Sequence, residues 1–295
     1  MQPPELSAIT VVCVTYNSRG VLPGLAQTLA GFPHVVIVDN ASSDDTVERA
    51  RALLPQAQVL QRPANAGFGV ANNEGMAQVR TPYALLLNPD CQISPQDVAT
   101  LLRCMQQHPR AAIVAPQGWQ SAQVPQKSWR PAFNQPQPAG AYRIPAQVTE
   151  AGWVHGSCQL VRRDAFVAVG GFDPVFFLYY EDDDLCLRVQ QAGYTCLLEP
   201  AARSLHPGGA SSTPSARTTF IKQFHYARSR QIALRRYVGR RAALAHRLRL
   251  LLAWLPAMAF YTLVLRPTDA SKWTGWGLAG FCATFHLDRL SQRIR

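Results

Sequence analysis

The sequence lacks the patterns of a disulfide-stabilised secreted protein and of a zinc protein. Its seven cysteines are scattered, odd in number and never spaced as C-x-x-C, so they fit neither a disulfide framework nor a zinc site. The first ten residues, MQPPELSAIT, have no basic stretch followed by an apolar one, which predicts that no signal peptide is present. We therefore expect a reduced, cytoplasmic setting.

Acidic residues are almost missing from the last third of the chain. Residues 200–295 contain 16 Lys/Arg and 2 Asp/Glu, whereas residues 1–199 contain 13 and 16. The formal net charge of +11 therefore originates in the C-terminal third. Such a concentration of positive charge predicts an anionic partner, either lipid headgroups or nucleic acid.

Two apolar runs near the C-terminus, 250–265 and 273–287, are shorter than the roughly 20 residues that span a bilayer. Three interpretations stay open: a helical cap packed on the rest of the protein, a segment inserted at the membrane interface, or a true span. In the interfacial interpretation Trp254, Trp273 and Trp276 lie at the headgroup boundary. We favour that interpretation, which makes an anionic membrane surface the expected partner.

The first half of the chain alternates short apolar runs with amphipathic helical patterns. The apolar runs, which are typical of strands buried on both faces, are 8–15, 34–40, 57–62, 83–88 and 111–116. Helices are predicted after Ser43 and Ser94, because each serine precedes an acidic first turn. This alternation predicts a mostly parallel α/β sheet, whose ligands bind beyond the carboxyl ends of the strands.

The alternation stops after residue 116. Residues 117–150 are rich in Gln, Pro and Ala and show little periodicity, which predicts a long surface loop. Residues 153–163 then predict one further strand, followed by a short helix that ends at Gly170-Gly171.

Polar residues end the first two predicted strands. Tyr16 and Asn17 follow Thr15 at the end of the first strand, and Asp39 ends the second. Side by side at one edge of the sheet, they could hold a nucleobase, with Asp39 accepting an imide N–H. For Asp39 alone, an ordinary Asx turn or helix cap is the favoured explanation.

Two further segments suggest phosphate and cation chemistry. The segment NAGFGVANNEG at 65–75 places glycines before a helix, where phosphate can approach, although a glycine turn without a ligand is commoner. Asn88 and Asp90 end the strand of LLLNPDC, and such oxygen ligands can hold a divalent cation that also bridges phosphates. An ordinary Asn-Pro-Asp turn explains the latter equally well. His206 is a further candidate ligand, although a lone histidine is more often structural.

Four adjacent acids, Glu181 to Asp184, follow the aromatic run at 176–180. A helix N-terminus favours acids, yet four exceed what a cap requires. Behind an apolar wall, one carboxyl group could have a raised pKa and act as a general base. Neighbouring residues of a helix point about 100° apart, so the four cannot converge on one substrate. We expect Asp183 and Asp184 to be first-turn charges favoured by the helix dipole.

Seven segments in unbroken order carry a resemblance over residues 8–212: VTYN, VDNASSDDT, NAGFGVANNEG, LLLNPD, GSCQLVRRDAF, GGFDPVFFLYYEDDDLCLR and LHPGGASS. Together they resemble the family 2 glycosyltransferases of GT-A fold, and within them the rhamnosyltransferase-like members that build bacterial surface polysaccharides. The resemblance implies an α/β domain over 1–212, with a Rossmann-like mixed sheet flanked by helices. Residues 213–295 would form a basic, partly apolar helical segment that associates with membrane.

The resemblance also implies roles for individual residues. Those that would bind the donor nucleotide are Thr15, Tyr16, Asn17, Asp39, Asn65, Gly67 and Asn88. Those that would border the donor sugar or the acceptor are Trp153, Gly156, Ser157 and Glu181. Asp182 would be the catalytic base. Asp90 and His206 would hold a divalent cation, Mg²⁺ or Mn²⁺, at the donor diphosphate.

Two positions depart from the pattern of the family. Asn88 replaces the first aspartate of its D-x-D motif, so cation affinity would rest on Asp90. Asp45 stands where glycine is usual, and we expect it on a solvent-facing turn.

The implied chemistry is an inverting sugar transfer. Asp182 would deprotonate an acceptor hydroxyl, whose oxygen attacks the anomeric carbon in line. The expected donor is dTDP-L-rhamnose, with a UDP- or GDP-sugar as the alternative. The expected acceptor is a lipid-linked saccharide at the inner face of the cell membrane, where the protein would be peripherally associated.

Other function classes are less well supported by the sequence. A nucleotidyltransferase is the alternative from another class, although no triphosphate-binding signature is found near the N-terminus. A processive synthase is disfavoured because no Q-x-x-R-W occurs. No nucleic-acid partner is expected, since few aromatic residues are interleaved with the C-terminal arginines. The oligomeric state is left open.

Overall fold

The computed structural model describes residues 4–208, 215–264 and 266–284. These residues form two compact units. The first unit comprises 4–174 and 182–208, and the second comprises 175–181, 215–264 and 266–284.

The first unit is built on a nine-stranded mixed sheet and a separate two-stranded sheet. In chain order the strands are β1 (Ile9–Thr15), β2 (Val35–Asp39), β3 (Gln58–Gln61), β4 (Tyr83–Leu87), β5 (Gln92–Ile93), β6 (Ala111–Trp119), β7 (Trp129–Arg130), β8 (Thr149–Glu150), β9 (Trp153–Val154), β10 (Cys158–Arg162) and β11 (Thr195–Leu205). The main sheet has the order β3-β2-β1-β4-β10-β6-β11-β5, with β8 paired to β11, while β7 pairs with β9.

The predicted parallel pairing is confirmed for part of the main sheet, but the prediction did not include its antiparallel strands. Strands β3, β2, β1 and β4 are parallel to one another, and β6 is parallel to β11. Strand β10 is antiparallel to both β4 and β6, and β11 is antiparallel to β5 and β8. The sheet is therefore mixed, as the resemblance implies.

The helices of the α/β part of the chain follow the strands. They are α1 (Leu22–Leu29), α2 (Thr46–Leu53), α3 (Phe68–Gln78), α4 (Pro95–Gln107), α5 (Arg163–Ala168) and α6 (Glu181–Gln191), and Pro4–Ala8 form a 3-10 helix. Alternate residues of the central strands enter two apolar layers: Val11 and Leu85 belong to one, Val12 and Leu86 to the other. Burial on both faces is thus confirmed for the central strands. It is wrong for β3, whose end residues are exposed because it lies at the sheet edge.

The predicted helix caps had different outcomes. The Ser94 side chain accepts a hydrogen bond from the backbone N–H of Asp97, so this cap is confirmed. Helix α2 instead begins at Thr46, and the backbone N–H of Ser43 donates to Oδ1 of Asn17 at 2.8 Å. Ser43 therefore contacts Asn17, just beyond β1, and does not cap α2. This tertiary contact outweighs the local sequence pattern.

The region after residue 116 contains more regular structure than its composition predicts. Strand β6 continues to Trp119, and β7 and β8 lie inside the segment expected to be a loop. The single strand predicted over 153–163 is divided into β9 and β10 by a turn at 155–157. This turn carries part of the candidate site.

The second unit contains three helices, α7 (Ala216–Tyr237), α8 (Arg240–Leu263) and α9 (Pro267–Thr284). Their apolar core includes Phe224 of α7, Leu250 of α8 and Ala279 of α9. Trp254 packs against α9 at Gly277, where an added Cβ would collide with the indole. The indole N–H of Trp276 donates to Oε1 of Gln223 at 2.8 Å. These two tryptophans therefore help to pack the helices together, which the interfacial interpretation did not anticipate.

The aromatic run before the acidic residues also belongs to the second unit. Phe177 stacks on His225 of α7 with ring centroids 4.3 Å apart, and Tyr179 meets Tyr226 edge to face. The hydroxyl of Ser229 donates to the carbonyl oxygen of Leu178 at 2.9 Å. These rings and backbone groups are thus engaged with α7.

Among the described helices, α8 alone is long and apolar enough to cross a membrane, judged by length and composition. Its 24 residues include 240–249, which precede the uncharged run. Of its most apolar 18-residue window, 11% is buried. The helix begins ten residues before the uncharged run because the arginines that precede the run are compatible with a helix and do not end it.

Candidate active site

The ends of β1 and β2 meet as the sequence predicts. Thr15 pairs with Asp39 in the parallel register, and its hydroxyl donates to Asp39 Oδ1 at 3.1 Å. The backbone N–H of Ser42 donates to Asp39 Oδ2 at 2.9 Å, and the Asp39 side chain is fully buried. Asp39 therefore builds the turn after β2, as the simpler explanation requires. Its contact with a nucleobase stays a prediction.

Tyr16 and Asn17 occupy the loop beyond β1. Asn17 has a left-handed backbone, with φ of 50°, and its N–H donates to Oγ of Ser42 at 2.8 Å. Tyr16 is 43% exposed. A left-handed non-glycine residue needs such support from its surroundings, so the loop is held in place while the Tyr16 ring faces solvent.

Asn65 and Gly67 form the turn that leads into α3. Asn65 Oδ1 accepts hydrogen bonds from Asn40 Nδ2 at 2.9 Å and from the backbone N–H of Gly67 at 3.0 Å. Gly67 has φ of 98°, which favours glycine. Gly75, from the same motif, lies against Val12 of β1, where an added Cβ would collide. Gly75 thus serves helix–sheet packing, whereas Asn65 and Gly67 shape the turn before the N-terminus of α3.

The predicted cation ligands come together. The Nε2 atom of His206, just beyond β11, lies 3.3 Å from Oδ1 of Asp90. The backbone N–H of Asn88 donates to the carbonyl oxygen of Ser157 at 2.9 Å. The side-chain Oδ1 of Asn88 is buried and has no hydrogen-bond partner among the described residues.

This donor set fits a divalent cation in chemical type. A carboxylate, an imidazole and a buried, unpartnered amide oxygen are suitable ligands for Mn²⁺ or Mg²⁺. Within the described residues no group of three or more His, Cys, Asp or Glu could hold a metal alone. Further ligands would have to come from substrate phosphate or water, as is usual for Mg²⁺.

Two residues near this cluster, Gln126 and His155, were missed by sequence reasoning. Gln126 Nε2 lies 3.1 Å from His206 Nδ1 and 3.1 Å from His155 Nε2. The backbone N–H of Ser157 donates to His155 Nδ1 at 3.1 Å. Burial lowers the pKa of His155 to about 4, so this ring is neutral at pH 7. Gln126 thus links two histidines through one side-chain amide.

Asp182 occupies the start of α6 next to the turn after β9. A Cβ added at Gly156 would lie 3.1 Å from Asp182 Oδ2, a tight contact that would require the carboxylate to shift. Burial raises the pKa of Asp182, and the Trp153 indole N–H and Arg130 oppose that shift. Among the described residues Asp182 has no salt-bridge partner. It combines a raised pKa with freedom from ion pairing, as a general base requires.

The other two aspartates differ from expectation. Asp183 Oδ1 lies 2.5 Å from Nη2 of Arg130, and Asp184 Oδ2 lies 2.7 Å from Nε of Arg188. Both aspartates are buried. Both lie in the first turn of α6, as predicted, but each also forms an ion pair in the interior, which the prediction did not include. Burial, reinforced by the Asp182 carboxylate, raises the pKa of Asp183 to about 7 against the effect of Arg130.

The predicted pocket residues have distinct surroundings. Trp153 is buried beneath the guanidinium of Arg130, which lies 4.3 Å from its ring centroid. Ser157 is buried, with its hydroxyl 2.9 Å from His155 Nδ1, so it supports the histidine. Glu181 is buried and belongs to the second unit. Gly156 is the predicted pocket residue that lies directly beside Asp182.

The signals for the missed residues are weak. Gln126 and Arg130 lie in the Gln- and Pro-rich segment that predicts a loop, where nothing in the sequence separates one glutamine from its neighbours. His155 could have been found, since it lies in the predicted strand two residues before Ser157. Only the fold brings these three side chains to His206 and Asp183.

Comparison with known proteins was made for both sequence and structure. The family model described as Glycosyl transferase family 2 matches residues 10–170. An N-acetylglucosaminyl-diphospho-decaprenol L-rhamnosyltransferase of Mycobacterium tuberculosis is 30% identical over 240 residues, covering 67% of this chain and 75% of that protein. The rhamnosyltransferase WbbL of Escherichia coli is 36% identical over 99 residues, covering 34% of this chain and 35% of that protein.

The structural comparison identifies similar folds at low sequence identity. The mannosyltransferase PcManGT from Pyrobaculum calidifontis, in complex with GDP-Man and Mn²⁺, superposes with a TM-score of 0.60 at 16% identity. The match covers 95% of this chain and 87% of that chain. At this identity the likeness establishes the fold alone.

Proposed function

The chain belongs to glycosyl transferase family 2 and has the GT-A fold, and on this premise we propose that it transfers L-rhamnose from dTDP-L-rhamnose, with inversion, to a lipid-linked saccharide. The choice of sugar and acceptor is supported by the 30% identity with an L-rhamnosyltransferase named for a diphospho-decaprenol substrate. A UDP- or GDP-sugar donor is the alternative, since GDP-Man is bound by a protein of the same fold. A nucleotidyltransferase loses its support with the family assignment.

The observation that carries the catalytic proposal is the position of Asp182 among its neighbours. Asp183 and Asp184 form ion pairs with Arg130 and Arg188, whereas Asp182 has no salt-bridge partner among the described residues and lies directly beside Gly156. Burial raises its pKa, which makes the carboxylate a better proton acceptor. Asp182 takes the proton of the acceptor hydroxyl, and the oxygen attacks the anomeric carbon from the side opposite the departing diphosphate.

Donor binding is proposed at the carboxyl edge of the parallel strands. The residues assigned to the donor nucleotide are Thr15, Tyr16, Asn17, Asp39, Asn65, Gly67 and Asn88. Tyr16 offers an exposed ring for stacking, and the turn built by Asn65 and Gly67 presents the N-terminus of α3. A helix N-terminus favours phosphate.

Asp90, His206 and the side-chain oxygen of Asn88 would hold the divalent cation. When bound, such a cation neutralises the charge that develops on the departing nucleoside diphosphate. Trp153 and Gly156 would border the sugar or acceptor. We assign this chemistry to residues 1–212.

We further propose that residues 213–295 attach the protein to the inner face of the cell membrane. Helix α8 has an exposed apolar stripe, formed by Leu244, Leu248, Leu252, Leu255 and Leu263. Their spacing of three or four residues, or its multiples, places them on one face. Exposed Arg240, Arg241 and Arg249 accompany the stripe, as in helices that lie on anionic membranes.

A donor screen tests the proposed reaction. The full chain is incubated with Mn²⁺ and with dTDP-L-rhamnose, UDP-sugars or GDP-sugars in turn, and its thermal midpoint and nucleotide release are measured. Stabilisation and acceptor-dependent release are expected with dTDP-L-rhamnose above all others. A preference for a UDP- or GDP-sugar would replace the donor assignment, and the absence of an effect from any sugar nucleotide would refute the proposal.

A further inference from the structure

The side chain of Gln126 links the two histidines behind the proposed cation site. One end of its amide lies 3.1 Å from both His155 Nε2 and His206 Nδ1. The other end is buried. If this buried end is the amide oxygen, that oxygen makes no hydrogen bond to any described residue. The two ends of a glutamine amide are nearly the same size, so the surrounding donors and acceptors decide which end faces the histidines.

A backbone group fixes the direction of this chain of hydrogen bonds. The N–H of Ser157 points at His155 Nδ1 at 3.1 Å, and a backbone N–H can only donate. Nδ1 must therefore carry a lone pair, which places the ring proton of His155 on Nε2. Because Nε2–H is a donor, the Gln126 atom that faces it must be the amide oxygen. Turning the amide in this way breaks no hydrogen bond to a described residue at its other end.

The same oxygen then determines the state of His206. Since it faces Nδ1 of His206 at 3.1 Å, Nδ1 must carry the proton. The lone pair of His206 is left on Nε2, which lies 3.3 Å from Asp90 Oδ1. Two acceptors that face each other at this distance suit a cation bound by both. Metal-binding histidines typically donate their other ring N–H to an acceptor in this manner.

We propose that Gln126 is a positioning residue whose amide oxygen accepts the Nδ1 proton of His206 and thereby keeps Nε2 available for the divalent cation. This inference rests on the proposed function, in which Asp90 and His206 bind the cation. Backbone contacts hold Gln126 in place: its N–H donates to the carbonyl oxygen of Gly118 at 2.9 Å, and its own carbonyl accepts from Gln117 Nε2 at 2.9 Å.

The first test is the tautomer of His206 in the metal-free protein. Long-range ¹H–¹⁵N correlation spectra of the histidine-labelled full chain, assigned with His206→Asn, report which ring nitrogen carries the proton. We expect protonation at Nδ1 of His206 and at Nε2 of His155. A His206 ring protonated at Nε2 would overturn the proposal without reference to any metal.

The second test measures Mn²⁺ affinity from the electron paramagnetic resonance signal of free Mn²⁺. Gln126→Met keeps the length of the side chain but removes the acceptor, so the affinity should fall about 10–100-fold. Gln126→Glu has oxygen at both ends and should bind Mn²⁺ at least as tightly as the unmodified chain. The matched control is Gln123→Met, an exposed glutamine of the same segment, which should change nothing.

The outcomes separate this inference from the proposed function. If Asp90→Ala and His206→Ala bind Mn²⁺ as the unmodified chain does, the cation site itself is refuted. If those variants lose Mn²⁺ while Gln126→Met binds it normally, only the role of Gln126 is refuted. A Gln126→Glu affinity as low as that of Gln126→Met would show that Gln126 acts as a donor. Should Gln126→Met fail to fold, the tautomer and the glutamate variant still decide.

Discussion

Burial and ion pairing give the adjacent acids of α6 different roles. Asp183 and Asp184 are paired with arginines in the interior, while Asp182 has no salt-bridge partner among the described residues. The aspartates are chemically identical, so their surroundings alone separate them. Sequence reasoning assigned the base to Asp182 through its motif, and that assignment stays a prediction. It could not place Asp183 and Asp184, because their arginines come from the distant strand β7 and from one turn further along the helix.

The substitution Asp182→Asn tests the base directly. Asparagine keeps the shape of the side chain and removes the proton acceptor, so kcat should fall by about 10²–10⁴. Donor affinity, measured by titration with the nucleoside diphosphate, should be almost unchanged. The control is Asp45→Asn at an aspartate exposed on the surface. A kcat within threefold of the unmodified chain, or a loss confined to donor affinity, would exclude Asp182 as the base.

The pH dependence of kcat should report the environment of Asp182. Because burial raises its pKa, the carboxylate form is lost at a higher pH than for an ordinary aspartate. The rate should therefore rise with pH through a midpoint above 3.8, the usual value for this group. The profile is measured at saturating Mn²⁺, so that loss of the cation does not limit the rate. A midpoint at or below the ordinary value would contradict the assignment.

The pair of Arg130 and Asp183 should matter for stability more than for chemistry. Arg130→Met leaves the buried Asp183 carboxyl group without the guanidinium that opposes the rise of its pKa. The free energy of unfolding should fall by about 1–3 kcal/mol, as measured by urea denaturation. Arg49→Met, at the exposed pair with Asp45, should change it much less. Equal effects of the two substitutions would show that the buried pair of Arg130 and Asp183 contributes no more to the free energy of unfolding than an exposed pair.

Among the secondary-structure elements, the central strands could be predicted from their continuous apolar runs alone. Strands β1, β2 and β4 are buried on both faces and lie within the predicted ranges. The antiparallel position of β10 between β4 and β6 could not be predicted, since a continuous apolar run does not indicate whether a strand is parallel or antiparallel to its neighbours. The turn at 155–157 was missed because its residues are fixed by Gln126 and Asn88, which are distant in sequence.

Helix α8 provides a prediction about membrane binding. Leu252 and Leu255 are 78% and 61% exposed, and large exposed apolar surfaces mark interaction sites. The double substitution Leu252→Ser and Leu255→Ser should weaken binding to vesicles that contain anionic lipid by about tenfold or more. Cosedimentation measures the bound fraction, and added salt should also lower it.

The matched control for α8 is Leu53→Ser, at a leucine of α2 that is 44% exposed. It removes the same kind of side chain from another surface and should not affect vesicle binding. If the α8 variant and the Leu53 variant cosediment equally with vesicles, the stripe does not face the membrane. Binding to DNA in place of vesicles would support the nucleic-acid alternative.

For the whole molecule, the order of the motifs was more informative than any one of them. The turn after Asp39, the Asn88 and Asp90 pair and the start of α6 each have an ordinary structural explanation. Their succession along the chain indicated the family, which the match over residues 10–170 confirms. The separation of 175–181 from its flanking residues into the helical unit was not predicted, because packing against α7 determines it.

The stereochemistry of transfer tests the central claim most directly. If a single base activates the acceptor for one in-line displacement, the configuration at the anomeric carbon must be inverted. Full-length protein, Mn²⁺, dTDP-L-rhamnose and a diphospholipid-linked N-acetylglucosamine acceptor are incubated, and the one-bond ¹H–¹³C coupling at the anomeric carbon of the product is compared with that of the donor. We expect the opposite anomeric configuration, and no product with Asp182→Asn over the same time. A product that retains the configuration of the donor would contradict the mechanism assigned to Asp182.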